Sequence, residues 1–166
     1  NKTEFQRKLD LAKNRMYCNY AFYFGATADN AKDLASLKDL EGCCGIKLFA
    51  GSSTGNLLVA EEDDIDKVFQ NSSKVVAVHS EDEAILITNK KLIKKGDVHT
   101  HPIWRSVECA ISSTRRIVKI AERYNKKAHI LHITTKEEID FLSQHKGNIT
   151  FEITPQHLTI YAPDCY

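Results

Sequence analysis

The sequence predicts an α/β chain of about five parallel strands with intervening helices, wound as part of a (β/α)8 TIM-type barrel. Three observations carry that expectation. Short β-branched or aromatic runs alternate with segments of helical period along the 166 residues. The gaps between runs are long enough for crossover helices, and right-handed crossovers place consecutive strands parallel in one sheet. Glycine-rich, polar or acidic residues repeatedly follow the C-terminal end of a run, the edge where barrels and open α/β sheets keep their chemistry. A flavodoxin-like open sheet fits the same periodicity, so the pattern leaves both arrangements open.

Taken in order, residues 3–14 place Phe5, Leu9 and Ala12 at helical spacing, with Thr3 as the expected cap. Residues 16–24 (MYCNYAFYF) read as a first strand, stopped by Gly25. Residues 30–40 read as a helix with Ala31, Leu34, Ala35 and Leu37 inward, and 46–50 as a second strand running into a glycine-rich loop. Residues 61–69 open with acidic side chains, which suit a helix N-terminus, and turn Ile65, Val68 and Phe69 inward. Residues 74–79 (KVVAVH) form a third strand and 83–93 a helix closed by Lys94, Lys95 and Gly96. An ordered loop over 97–106 precedes a long amphipathic helix over 107–124. Residues 128–133 (AHILHI) form a fourth strand, and 134–138 (TTKEE) have the spacing of a capping box for a helix reaching Gln144. Residues 148–153 form a fifth strand, and a further turn begins at Thr154.

Hydrophobic residues make up 42% and charged residues 27%, as in an ordinary globular domain, and residues 1–166 read as one unit. With 23 basic against 22 acidic side chains the net charge is +1, which gives no field to attract nucleic acid. No apolar run approaches the roughly 18 residues that span a bilayer, so no membrane partner is expected. The five cysteines are odd in number and lack C-x-x-C spacing, which points to free thiols in a reducing, cytoplasmic setting.

Lys47 is the residue that demands explanation. It sits within the apolar run 46–50, where a charged amine is costly unless paired, neutralised or modified. His79 and His132 lie near the C-terminal ends of two later strands. Adjacent parallel strands are roughly 4.8 Å apart, so these three side chains can meet over one metal, and neutral imidazoles suit zinc. A protonated lysine repels a cation, whereas addition of CO₂ to the neutral amine gives a carbamate with two anionic oxygens. The histidines also read as hydrogen-bonded edge residues and Lys47 as a side chain that snorkels from a strand end. His99-x-His101 has chelating spacing, but residues 94–97 (KKGD) place it in a loop, where packing or anion binding is expected. The loop 51–55 (GSSTG) offers backbone N–H groups to an anion without the spacing of a nucleotide P-loop. Cys43 and Cys44 read as buried structural thiols.

Six stretches carry a resemblance along almost the whole chain: 23–30 (YFGATADN), 45–56 (GIKLFAGSSTGN), 76–83 (VAVHSEDE), 101–105 (HPIWR), 129–138 (HILHITTKEE) and 152–158 (EITPQHL). In this order they resemble the dihydroorotases of the amidohydrolase superfamily. The resemblance implies a (β/α)8 barrel with two zinc ions bridged by a carbamylated lysine and a hydroxide. Lys47 would be that lysine, with His79 and His132 as ligands of the second metal. The activity implied is the reversible cyclisation of N-carbamoyl-L-aspartate to L-dihydroorotate, a step of pyrimidine synthesis, by metal-hydroxide attack on the ring amide.

Two parts of the family pattern have no counterpart among these residues: the H-x-H pair of the first strand and the catalytic aspartate of the last, whose place Asp164 does not take. The chain is therefore expected to be an internal piece, about strands three to seven, that holds at most one metal weakly and is inactive alone. Homodimerisation and association with aspartate transcarbamoylase are the partner expectations. A non-catalytic dihydroorotase-like scaffold and a hydantoinase or allantoinase relative are the alternatives.

Overall fold

Alternate residues of each apolar run point to the same side of a sheet, which sets how these runs assemble. In the computed structural model, which describes all residues except Thr54, Pro163, Cys165 and Tyr166, the strands are β1 (Phe22–Gly25), β2 (Cys43–Phe49), β3 (Val76–His79), β4 (Ala128–Ile130) and β5 (Ile149–Phe151). Each pairs in parallel with the one before it, in the order β1-β2-β3-β4-β5. A doubly wound sheet reverses its strand order at a switch point. This sheet never does, so the winding is that of a barrel and the flavodoxin-like alternative falls.

The helices are α1 (Lys2–Ala12), α2 (Glu62–Asn71), α3 (Glu83–Asn89), α4 (His101–Trp104), α5 (Val107–Arg123), α6 (Lys136–Leu142) and α7 (Pro155–Thr159). A 3₁₀ helix, Ala31–Leu37, packs on α2, α2 on α5, and α5 on α6, so the outer layer follows chain order as the strands do. Asp66 of α2 accepts from Arg123 at 2.8 Å and from Tyr124 at 2.7 Å, which pins α2 to the end of α5.

The core lies between the two layers. Phe24, Ile46, Leu48, Val76, Val78 and Ile130 of the sheet are buried against Leu34, Leu37, Val68, Phe69, Ile117 and Ile120 of the helical layer. Burial of each such side chain stabilises the fold by about 1.5–3 kcal/mol. The opposite face is different in kind. Lys47, Ala77, His129 and Thr150 are successive register partners across β2 to β5, so they share the face turned away from the helices.

Local chemistry corrects several expectations. The cap of α1 is Asn1, whose side chain accepts from the Glu4 N–H at 3.0 Å, rather than Thr3, which lies inside the helix. The first strand is short: Met16, Tyr17 and Tyr20 stay exposed ahead of Phe22, with no register partner in β2. The helix expected over 30–40 is a 3₁₀ helix without a side-chain cap bond. The helix expected over 83–93 stops at Asn89 and tightens into 3₁₀ over Lys90–Leu92. The loop at 97–106 contains a 3₁₀ turn, Val98–Thr100, and the single turn α4, whose Pro102 suits a helix start. The capping box is present, centred on Thr135: its Oγ1 accepts from the Glu138 N–H at 3.2 Å and donates to Glu138 Oε2 at 2.8 Å.

Candidate functional site

The C-terminal edge of the sheet gathers the residues singled out from the sequence. β3 ends on His79, and His132 follows β4 by two residues in the left-handed region, at φ 40°. A non-glycine residue held there is strained and persists only where its surroundings fix it. The two imidazoles face each other: His79 Nδ1 lies 3.1 Å from His132 Nε2, and the rings meet edge to face at 4.9 Å between centroids.

Lys47 lies on β2 with its Nζ donating to the Leu48 carbonyl at 3.0 Å and standing 3.9 Å from the Phe49 ring centroid. Burial pulls its amine down to about 8, opposed by the carboxylate of Glu152 at the end of β5. The neutral amine, the form able to take up CO₂, is thus far more accessible than in a solvated lysine. His132 is also pulled down, first by burial and then by the neighbouring His79 and Lys47, which keeps it the neutral imidazole a metal requires.

Two residues that sequence reasoning left without a role complete this edge. Glu81 Oε2 is 2.7 Å from His79 Nε2. Arg105 Nε donates to Glu81 Oε1 at 2.8 Å, and its Nη2 contacts Oε2. Burial would push the Glu81 carboxyl up, but the bonds from His79 and Arg105 outweigh it and hold it at about 2. The sequence signal was an acid two places after a strand-end histidine. Nothing in spacing alone would have paired it with an arginine 24 residues further on.

The donor set can be tested against a metal. Zinc with nitrogen ligands at about 2.0–2.1 Å holds two tetrahedral neighbours about 3.3 Å apart. The 3.1 Å between His79 Nδ1 and His132 Nε2 fits that requirement. Among the described residues, no three His, Cys, Asp or Glu side chains are grouped to hold a metal. Lys47, Glu81 and Glu152 are further polar side chains of this edge.

The other candidates behave differently. His101 packs edge-on against Trp104 at 6.2 Å, and the His99 N–H bonds Asp97, so the H-x-H pair is built into a turn. The Ser52 N–H of the glycine-rich loop donates to Glu83 Oε2 at 2.8 Å, so the chain's own carboxylate occupies that anion-accepting group; Thr54 lies outside the described residues. Cys18, Cys43, Cys44 and Cys109 are free thiols; Cys43 is buried as expected, but Cys44, its neighbour on β2, is exposed rather than buried. Among the described residues, no helix is long and apolar enough to cross a membrane.

No family model matches the chain. It is similar to the dihydroorotase of Methanosarcina mazei (27% identity, 99% of this chain, 38% of the relative) and to that of Methanosphaera stadtmanae (25%, 95% and 37%). An allantoinase of Streptomyces avermitilis is 25% identical over 95% of this chain and 36% of its own length. The chain thus spans a little over a third of the length of these three relatives. Its backbone superposes on an L-hydantoinase from Arthrobacter aurescens with a TM-score of 0.86 at 22% identity, covering 97% of this chain and 38% of that one. A dihydroorotase from Campylobacter jejuni gives 0.55 at 22%, covering 98% and 42%. The structural likenesses establish the fold: a segment of a barrel shared by cyclic amidohydrolases.

Proposed function

We propose that the chain is the central part of a zinc-dependent dihydroorotase, which interconverts N-carbamoyl-L-aspartate and L-dihydroorotate. The observation that carries this reading is the convergence of His79 Nδ1 and His132 Nε2 at 3.1 Å, on the functional edge of a barrel segment that resembles dihydroorotases from end to end. His79 and His132 would hold the metal, and Lys47 would hold it as a carbamate. In that modification the neutral amine nitrogen bonds the carbon of CO₂, one C–O π bond opens, and the amine proton leaves to water. Zinc bound there would polarise the ring carbonyl and lower the pKa of water. The chain's own contribution is to keep His132 neutral, to lower the Lys47 amine by burial, and to hold Phe49 against both Lys47 and His79.

Homodimerisation and association with aspartate transcarbamoylase belong to the same reading and rest on the family resemblance. A cytoplasmic setting is supported by the free thiols. A hydantoinase or allantoinase activity is the second reading, favoured by the closer backbone match to the L-hydantoinase and by the allantoinase relative.

The test is a substrate panel on the full-length protein that carries this chain, supplied with zinc and bicarbonate. Dihydroorotate opening is expected to exceed hydantoin and allantoin hydrolysis, and His132→Ala or Lys47→Ala to lower kcat/KM by about a hundredfold or more. Preference for hydantoin or allantoin would move the assignment to the second reading. Absence of both zinc uptake and turnover would make the protein a scaffold.

A further inference from the structure

One arrangement behind the two histidines goes unused by the proposed chemistry. The segment carrying Glu81 is fastened to α5 on both sides. Ser80 Oγ bonds Ser113 Oγ at 2.9 Å and Thr114 Oγ1 at 3.0 Å, the Asp82 N–H donates to the Cys109 carbonyl at 3.0 Å, and Ser112 donates to Asp82 Oδ2 at 3.1 Å. Arg105 is placed with similar care from α4. Trp104 Nε1 donates to the Leu86 carbonyl at 3.0 Å, and Asn89 Nδ2 donates to the Trp104 carbonyl at 3.2 Å, which docks α4 on α3. A buried carboxylate, gripped by a partly buried guanidinium and braced by a separate element, meets one ring nitrogen of His79.

We propose that Glu81 and Arg105 are a positioning pair that fixes His79 as its Nε2–H tautomer, so that Nδ1 is bare and faces His132. An ionised carboxylate only accepts, so Nε2 of a neutral His79 must carry the proton. Nδ1 is then the acceptor of the 3.1 Å contact, and the proton on that bond belongs to His132 Nε2. A ring turned over by 180° would set carbon against Glu81 and leave a buried carboxylate short of a donor, which is costly. The two-pronged guanidinium occupies both oxygens of Glu81 and stops the carboxylate rotating with the ring. Lysine, a point charge, lacks that fork. The use of this device rests on the reading of His79 as a metal ligand; its geometry does not.

The experiment has two arms, both on the full-length protein. In the first, without metal and at mildly alkaline pH, long-range ¹H–¹⁵N NMR reads the tautomer of His79. Native protein is expected to show Nε2–H, Glu81→Gln to retain it through its amide oxygen, and Glu81→Leu to lose the preference. In the second, chelator competition reads zinc affinity. A fall of about 10–100-fold is expected for Glu81→Leu, with Glu81→Gln within a few-fold of native. If Glu81→Leu fails to fold, Arg105→Met carries the test. A shifted His79 signal with at least about threefold weaker zinc binding supports the pair, and native values overturn it. An Nδ1–H tautomer in the native protein, or an unchanged tautomer in folded Glu81→Leu, also overturns it. If the native protein takes up no zinc, the proposed function fails, and the metal-free arm still decides the pair.

Discussion

At Gly51 the chain has no room for a side chain. A Cβ there would lie 2.4 Å from the Glu81 carbonyl oxygen and 2.9 Å from its carbon, and both belong to backbone that cannot step aside cheaply. Gly51→Ala is expected to cost about 1–3 kcal/mol, measured by urea unfolding. Cys109 makes a second prediction. Burial is the main cause that raises its thiol to about 12. The unfolded thiol ionises near 9, so from about 9 toward 12 the unfolded chain holds fewer protons than the folded one. The stability linked to this thiol is complete below 9 and is lost as pH rises through that window. Unfolding midpoints of Cys109→Ala should therefore decline less steeply than native ones between pH 9 and about 10.5, whatever the absolute cost of the cavity. An equal slope would exclude this linkage. Lys47 was legible from the sequence because a lysine inside an apolar run is an energetic contradiction that one chain position displays. Glu81 was not, because its meaning depends on Arg105, and that contact exists only once α4 docks.

Among the elements, α6 is the clearest case of a helix specified at its start. Thr135 satisfies the Glu138 N–H, and Glu138, almost wholly buried, receives hydroxyl bonds from Thr135 at 2.8 Å and Thr114 at 2.7 Å. Thr135→Ala removes both halves of the box and leaves a buried carboxylate with one donor fewer. The expected loss is about 1–2 kcal/mol by thermal or urea unfolding, with Thr135→Ser recovering most of it. The other end of a helix is equally explicit in α5. Asn125 enters the left-handed region at φ 49°, and the Lys126 N–H reaches back to the Ala121 carbonyl at 2.9 Å, a Schellman closure. Such local signals explain why α5 and α6 were readable to within a few residues. The first strand was overextended for the opposite reason. Aromatic residues satisfy strand propensity wherever they stand, but among the described residues Tyr17 and Tyr20 have no strand partner in the register, and pairing decides what a strand is.

Across the whole molecule the sheet is continuous but open. Among the described residues β1 and β5 pair on one side only, and the face opposite the helical layer carries the half-buried Lys47 and Phe49 and the exposed Tyr23. Unpaired edges recruit other strands. The 166-residue chain on its own should therefore associate with rising concentration in sedimentation velocity, and a monomer across the micromolar range would contradict this. Strand alternation was legible at this scale, whereas closure was not. Periodicity is the same for a wound barrel and an open sheet, and only the unbroken order β1 to β5 separates them. That order has one more consequence. With eight strands to a full circuit, each strand-and-helix step advances about an eighth of a turn around the barrel axis. Residue number along this chain is therefore a compass bearing. His79 and His132 stand 53 positions apart on paper and a single step apart on the dial, and lengthening the helices between them would leave that bearing unchanged.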